Sequence, residues 1–191
     1  MRVACFIDRD GVINEMGDRR DGYVNERGEK QRYTAPWSYA EFKLLPQVKE
    51  ALEILGQVGL VRVLVTNQPD VAYGNLSPED HERIMAETAV LPLDDVYVCP
   101  HRWDDGCGCK KPKPGMLLAA TDRWDLDLAG SFIVGDTKSD IEAGEAVGCR
   151  TVLVQTDYNQ DVQADFYVRG LFSAAQLIRI LLPSRPSSFL T

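Results

Sequence analysis

Short apolar runs alternate with amphipathic stretches along most of the chain, and the two periods separate strands from helices. Val3–Ile7 is a continuous apolar run, the pattern of a strand buried on both faces. Pro46–Val58 carries Val48, Leu52 and Leu55 at helical spacing, with Pro46 suited to the first position and Gly59 to the cap. Leu60–Val65 is a second buried strand. Ser77-Pro78-Glu79-Asp80 is a capping box, followed at helical spacing by His81, Ile84, Met85 and Thr88; His81 is expected at the surface. Val96–Val98 is a short strand, and Pro114–Trp124 a helix with Leu117, Leu118, Thr121 and Trp124 on one face. Strand Phe132–Val134, helix Thr137–Val147, strand Thr151–Val154 and helix Ser173–Leu182 complete the series, and Pro183–Thr191 reads as a tail.

This alternation predicts an α/β fold: a three-layer, Rossmann-like, mostly parallel sheet with helices on both faces. At 191 residues, one domain over 1–182 is expected, with 183–191 as a C-terminal tail. Ligands of such sheets bind beyond the carboxyl ends of the strands. That rule points to Asp8–Gly11, Thr66–Gln68, the region of Cys99 and Gly135–Asp140. Twenty-one Lys and Arg against 29 Asp and Glu leave a net charge of −8, which speaks against a nucleic-acid partner. Val3–Ile7 is too short for a signal-peptide core or a membrane span, so a cytoplasmic monomer without membrane partners is expected.

Asp8 and Asp10 lie two apart on an extended chain, so both carboxylates can face one pocket. One can act as an ionised nucleophile while the other holds a proton for a leaving group, and a divalent cation would keep the first ionised. An isolated Asp-x-Asp-Gly is also an ordinary turn. Thr66 and Asn67, at the next strand end, offer a hydroxyl and free backbone N–H groups to phosphate oxygens. Lys110-Lys111-Pro112-Lys113-Pro114 concentrates positive charge on a backbone restricted by proline. Asp136 ends another strand, while Asp140 can be either the partner of Thr137 in a capping box or part of a metal site.

Five cysteines divide into two kinds. Cys5 and Cys149 sit alone in apolar or helix-end settings and read as buried, inert thiols. Cys99, His101, Cys107 and Cys109 form two Cys/His pairs around a short loop and can wrap a tetrahedral Zn²⁺, leaving no open position, as suits a structural ion. A redox role for Cys107 and Cys109 would leave Cys99 and His101 without a purpose.

The order Asp8-x-Asp10-Gly11-Val12, Thr66, Lys111 and Gly135-Asp136 through Asp140 resembles the haloacid dehalogenase superfamily of phosphatases over nearly the whole chain. The resemblance implies that Asp8 attacks phosphorus and forms an aspartyl-phosphate, and that Asp10 protonates the leaving oxygen and then activates water. It also implies Mg²⁺ held by Asp8, Asp136 and the backbone carbonyl of Asp10, with Thr66 and Lys111 steadying the phosphoryl oxygens and Asn67 and Lys110 binding substrate. Cys-Pro-His, Cys-x-Cys and Lys-Pro-x-Pro-Gly narrow the likeness to the heptose 1,7-bisphosphate 7-phosphatase and histidinol-phosphate phosphatase subfamily, which lacks a large cap domain. A small sugar phosphate such as D-glycero-D-manno-heptose 1,7-bisphosphate is then the expected substrate. Histidinol phosphate is the alternative, its amine and imidazole met by Glu15, Asp18 or Asp70. A nucleic-acid end phosphatase and a zinc-stabilised, non-catalytic binding module are the remaining alternatives. The chain departs from the subfamily in its long Glu15–Phe42 segment, in Pro69-Asp70, in Thr137 and in Lys110, where an arginine is common.

Overall fold

The computed structural model describes Met1–Leu182; the predicted tail lies outside the described residues. The first half contains β1 (Ala4–Ile7), β2 (Gly17–Val24), β3 (Lys30–Thr34), α1 (Val48–Gln57), β4 (Val61–Asn67), α2 (Asp70–Tyr73) and α3 (Pro78–Ala89). The second contains β5 (Asp95–Cys99), α4 (Gly115–Trp124), β6 (Phe132–Gly135), α5 (Lys138–Glu145), β7 (Arg150–Val154), β8 (Phe166–Val168) and α6 (Leu171–Leu181). Six strands form one sheet in the order β5-β4-β1-β6-β7-β8, parallel at every pairing, and β2 and β3 form a separate antiparallel hairpin.

The central strand shows why the sheet has two covered faces. All four residues of β1 are buried, and they alternate between two cores. Cys5 and Ile7 pack with Leu52 and Leu55 of α1 and with Ala174 and Ile178 of α6. Ala4 and Phe6 point the other way, onto Met116 and Leu117 of α4 and Ala143 of α5. A smaller cluster of Phe42, Leu76 and Ile84 seats α3. This is the three-layer, parallel arrangement expected from the sequence. Among the described residues no helix is long and apolar enough to cross a membrane.

Several elements differ from expectation, each for a local reason. Helix α1 begins at Val48 because Gln47 takes a left-handed backbone (φ 61°), whereas Gly59 follows its end at φ 84° as predicted. On α4 the buried residues are Met116, Leu117 and Ala120, and Leu118 is 45% exposed. Met116, Ala120 and Trp124 repeat every fourth residue, and that row sets the face that meets the sheet. Helix α6 starts at Leu171, whose side chain is needed in the core. His81 is half-buried, and burial followed by the charge of Arg9 holds its imidazole below the usual value. Strand β8, helix α2 and the β2–β3 hairpin have no counterpart in the hydrophobic pattern.

The start of β4 is tied to the residue just before β5 by a forked ion pair. Arg62 Nε and Nη2 donate to Asp94 Oδ2 and Oδ1 at 2.8 and 2.9 Å, and the Arg62 backbone N–H donates to Oδ2 at 2.8 Å. Partial burial of Asp94 raises its pKa, but these bonds outweigh it and the net direction is down. A carboxylate held below its unfolded pKa stabilises the fold above that pKa and loses the contribution as pH falls through the lowered value. Asp94→Asn should therefore cost about 1 kcal/mol at pH 7 and progressively less below about pH 4. Urea unfolding across pH measures this; a penalty independent of pH would assign it to packing.

Candidate active site

The carboxyl ends of β1, β4 and β6 converge on one edge of the sheet, and the polar residues that follow them meet there. The Asp8 N–H donates to Val134 O at 2.9 Å, which carries the β1 ladder one residue past the strand. The chain then turns sharply at Gly11, whose φ of 81° suits glycine alone. A Cβ at Gly11 would occupy the space of the Asp136 carboxylate and stand 3.1 Å from the Tyr158 hydroxyl. Asp8 and Asp10 both line a cavity of about 250 Å³, with Asn67 and Lys111 on its wall.

Lys111 sits at the centre. It is 4% exposed, and its ammonium donates to Asp8 Oδ1 at 2.8 Å, to the Val65 carbonyl at 2.7 Å and to Asp140 Oδ1 at 2.5 Å. Burial pulls the lysine pKa down, but the two carboxylates outweigh it and hold the side chain charged. Asp8 goes the other way. Burial first, then the charge of Asp140, push its carboxyl up to about 7 against the attraction of Lys111. Asp140 answers the question the sequence left open as far as contacts go. Its Oδ2 caps α5 by accepting from the Thr137 N–H at 3.0 Å and hydroxyl at 2.5 Å, while its Oδ1 anchors Lys111.

Asp136 is fully buried, and its Oδ2 accepts a hydrogen bond from the Tyr158 hydroxyl. Burial, then the neighbouring Asp8 and Asp140 charges, raise its pKa well above the ordinary value. Its Oδ1 is buried and takes no hydrogen bond from the described residues. Ligand oxygens of Asp8, Asp136 and Asp140 lie within 4.8 Å of one another. The Asp10 carbonyl oxygen accepts no hydrogen bond among the described residues. An orphaned carboxylate oxygen beside a second carboxylate and a free carbonyl is a donor set of hard oxygens, which fits Mg²⁺.

Asp10 is held by three side chains. Arg9, entirely buried, donates from Nε and Nη2 to its Oδ1 at 3.2 and 3.0 Å and from Nη2 to its Oδ2 at 3.1 Å. Asn14 donates to Oδ1 at 2.9 Å and Gln68 to Oδ2 at 2.6 Å. Gln68 also donates to the Thr66 hydroxyl at 2.9 Å and accepts from Arg9 at 2.7 Å, so one amide links the acid, the arginine and the threonine.

The Asn67 amide is engaged with the backbone of Lys111, accepting from its N–H at 3.0 Å and donating to its carbonyl at 3.1 Å. Two residues earlier the loop carries the sulfur cluster. Cys99 Sγ lies 3.7 Å from Cys107 Sγ, 3.2 Å from Cys109 Sγ and 3.6 Å from His101 Nδ1; Cys109 Sγ lies 3.2 Å from the same nitrogen. A tetrahedral zinc site has S···S edges of about 3.8 Å and S···N edges of about 3.6 Å, so three sulfurs and one nitrogen stand close to that shape. None of the cysteines is in a disulfide, and Cys5 and Cys149 are buried as expected.

A second cavity, of about 300 Å³, adjoins the first and runs between the hairpin and the sulfur loop. Lys110 lines it, and its ammonium donates to the His101 carbonyl at 3.1 Å. The hairpin reaches this cavity through Tyr23, Gln31 and Thr34. Its other side chains tie it down: Arg19 forks onto Glu41 at 3.0 and 2.7 Å and stacks 3.9 Å over Trp37, while Tyr33 packs on Tyr158 with centroids 5.2 Å apart.

Of the residues singled out from sequence, Asp8, Asp10, Asn67 and Lys111 share a cavity wall, Thr66 and Asp136 lie buried beside them, Lys110 lines the adjoining cavity, and the Cys/His set is gathered separately. Sequence reasoning missed Arg9, Asn14, Gln68 and Tyr158. Arg9 carried a signal, since alternation between Asp8 and Asp10 turns it inward, where a charge must be paired. Tyr158 carried only its place after β7, at the same edge of the sheet.

The comparisons with known proteins agree with this geometry. The sequence profile of a family described as HAD-hydrolase-like matches residues 108–173. D-glycero-beta-D-manno-heptose-1,7-bisphosphate 7-phosphatase of Pseudomonas aeruginosa is 35% identical over 161 residues, 81% of this chain and 82% of that protein. The Escherichia coli enzyme of the same name is 34% identical over 195 residues, 92% of this chain and 93% of the relative. The crystal structure of D,D-heptose 1,7-bisphosphate phosphatase from Bordetella bronchiseptica, complexed with magnesium and phosphate, has a TM-score of 0.76 at 30% identity and covers 95% of this chain and 100% of its own. With relatives this similar along most of their length, the chain belongs to the HAD-like phosphatase family.

Proposed function

We propose that residues 1–182 form one phosphatase domain that hydrolyses a small sugar phosphate, D-glycero-D-manno-heptose 1,7-bisphosphate with its 7-phosphate removed, as the names of its relatives indicate. The observation that carries the reading is Asp8: one oxygen is anchored by a buried lysine, and the other, at a cavity wall, takes no hydrogen bond from the described residues.

In the first half-reaction, Asp8 Oδ2 attacks phosphorus while the bond to the sugar oxygen breaks, giving an aspartyl-phosphate on Asp8. The Thr66 hydroxyl donates to the phosphoryl oxygens as their charge shifts, and Lys111, its three protons held by Asp8, Val65 and Asp140, supplies positive charge beside them. Asp10 takes up a proton from solvent once Oδ2 leaves the Gln68 amide, and gives that proton to the departing sugar oxygen. In the second half, Asp10 takes a proton from water, the water oxygen attacks phosphorus and the bond to Asp8 breaks, releasing inorganic phosphate. Asp8, Asp136 and the Asp10 carbonyl would hold Mg²⁺, which supplies positive charge against the transferring group. With Asp8, Asp136 and Asp140 all ionised beside the one ammonium of Lys111 the formal charge is −2, which a divalent cation would match.

We infer that Cys99, His101, Cys107 and Cys109 bind a structural Zn²⁺. The loop they close ends two residues before Lys111, so the ion fixes the approach of the chain to the catalytic lysine.

Asp8→Asn keeps the shape of the side chain and removes the nucleophile. Phosphate release from heptose 1,7-bisphosphate with Mg²⁺ should fall by at least about 1,000-fold, with circular dichroism unchanged; more than a tenth of the original rate would overturn the covalent route. Zinc measured by mass spectrometry should be one per chain in the purified protein. Cys107→Ser should lose it, with a lower melting temperature and weaker substrate binding. Purified protein without zinc would overturn the structural-ion reading.

A further inference from the structure

Asp70 is the one carboxylate among the described residues that lines both cavities; Asp8 and Asp10 line only the catalytic one, and Glu26 only the distal one. Its side chain is fixed on one side. The Trp37 indole N–H donates to Oδ1 at 3.1 Å and the Asn75 amide to the same atom at 3.0 Å. Oδ2 takes no hydrogen bond from the described residues and forms no ion pair. Trp37 is itself held, its backbone N–H donating to Glu41 at 3.0 Å beneath the stacked Arg19, so the carboxylate is oriented by a rigid support.

Resting on the phosphatase reading above, we propose that Asp70 is a specificity-determining residue whose Oδ2 accepts hydrogen bonds from hydroxyl groups on the carbons next to the phosphate ester. Its position at the junction of the two cavities places it where a leaving group passes from the catalytic wall into the distal space. There the lining changes to the aromatic rings of Tyr23, Trp37 and Trp103 and the cations Arg27 and Lys110, which do not line the catalytic cavity. A polyhydroxylated ester matches that order of groups, its far end meeting Arg27, Lys110 and Glu26. Burial holds the Asp70 carboxyl above the usual range, the Asn75 and Trp37 bonds pulling it back and the Asp10 charge adding to the rise. A leaving group without donors would deepen this desolvation and leave Oδ2 unmet.

The test pairs a sugar phosphate with inorganic phosphate, which fills the catalytic cavity alone. Asp70→Asn keeps an acceptor for Trp37 and Asn75 and removes the charge. KM for the sugar phosphate should rise about tenfold, while the inhibition constant of inorganic phosphate stays equal or falls, because a negative charge near the anion has gone. A shift of both constants in the same direction by the same factor would mark a structural role and overturn the proposal, as would an unchanged KM. With the unaltered protein, a deoxy analogue lacking the hydroxyl next to the ester should also bind about tenfold more weakly than its parent; equal KM values overturn the inference while leaving the phosphatase reading intact. An amino analogue bound more tightly than the hydroxyl parent overturns the assignment to hydroxyls. Absence of phosphate release from every ester would overturn the phosphatase reading, and this inference with it.

Discussion

The ammonium of Lys111 is a charge in a place where charges are costly, and two strands and the first turn of a helix are arranged to meet it. An unpaired lysine at 4% exposure would be strongly destabilising. Its three acceptors come from β1's end, from the β4 backbone and from the first turn of α5. The lysine therefore acts as a cross-brace between segments far apart in sequence. The same bond that satisfies it anchors one oxygen of Asp8, and the same bond that caps α5 orients the acid opposite. Stability of the sheet edge and readiness of the site are one arrangement of hydrogen bonds.

Around that brace the site divides into acids handled in different ways. Asp10 is surrounded by donors from Arg9, Asn14 and Gln68. Asp8 has one acceptor oxygen engaged and one facing the cavity. Asp136 is buried with Tyr158 on one oxygen and, among the described residues, no donor on the other. Three carboxyl groups of identical chemistry are thus prepared for three tasks by their partners alone, which is how one residue type can serve as proton carrier, nucleophile and metal ligand in the proposed mechanism.

The parts of the molecule that were legible in the sequence are those in which a side chain's chemistry and its burial agree. Val3–Ile7 and Leu60–Val65 could be read as strands because both faces are apolar, and the polar residues just past them stand out by contrast. The sulfur loop was legible because four uncommon ligands lie within eleven positions. Legibility fails where an element is held by other means. Strand β8 has three residues and exposes Tyr167, so no periodic signal can accumulate. The face of α4 was misassigned because Leu118 is apolar yet exposed. Arg9 was passed over because a charged residue reads as surface until its partners are known, and those partners include Gln68, 59 positions away. Tyr158 meets Asp136 from 22 positions downstream, a contact that only the fold creates.

The hairpin was the largest omission, and its polarity has a consequence for how copies of the chain meet one another. A ribbon of two strands has two open edges, each a row of backbone donors and acceptors able to recruit another strand. Here β2 presents Asp18, Arg20 and Asp21 and β3 presents Lys30 and Arg32, with a register irregularity between Asp18 and Tyr23 of the kind that bends a ribbon. Edge-to-edge stacking would force long charged side chains out of water along a surface that does not lie flat. The composition that conceals these strands in the sequence also keeps them from growing into a larger sheet.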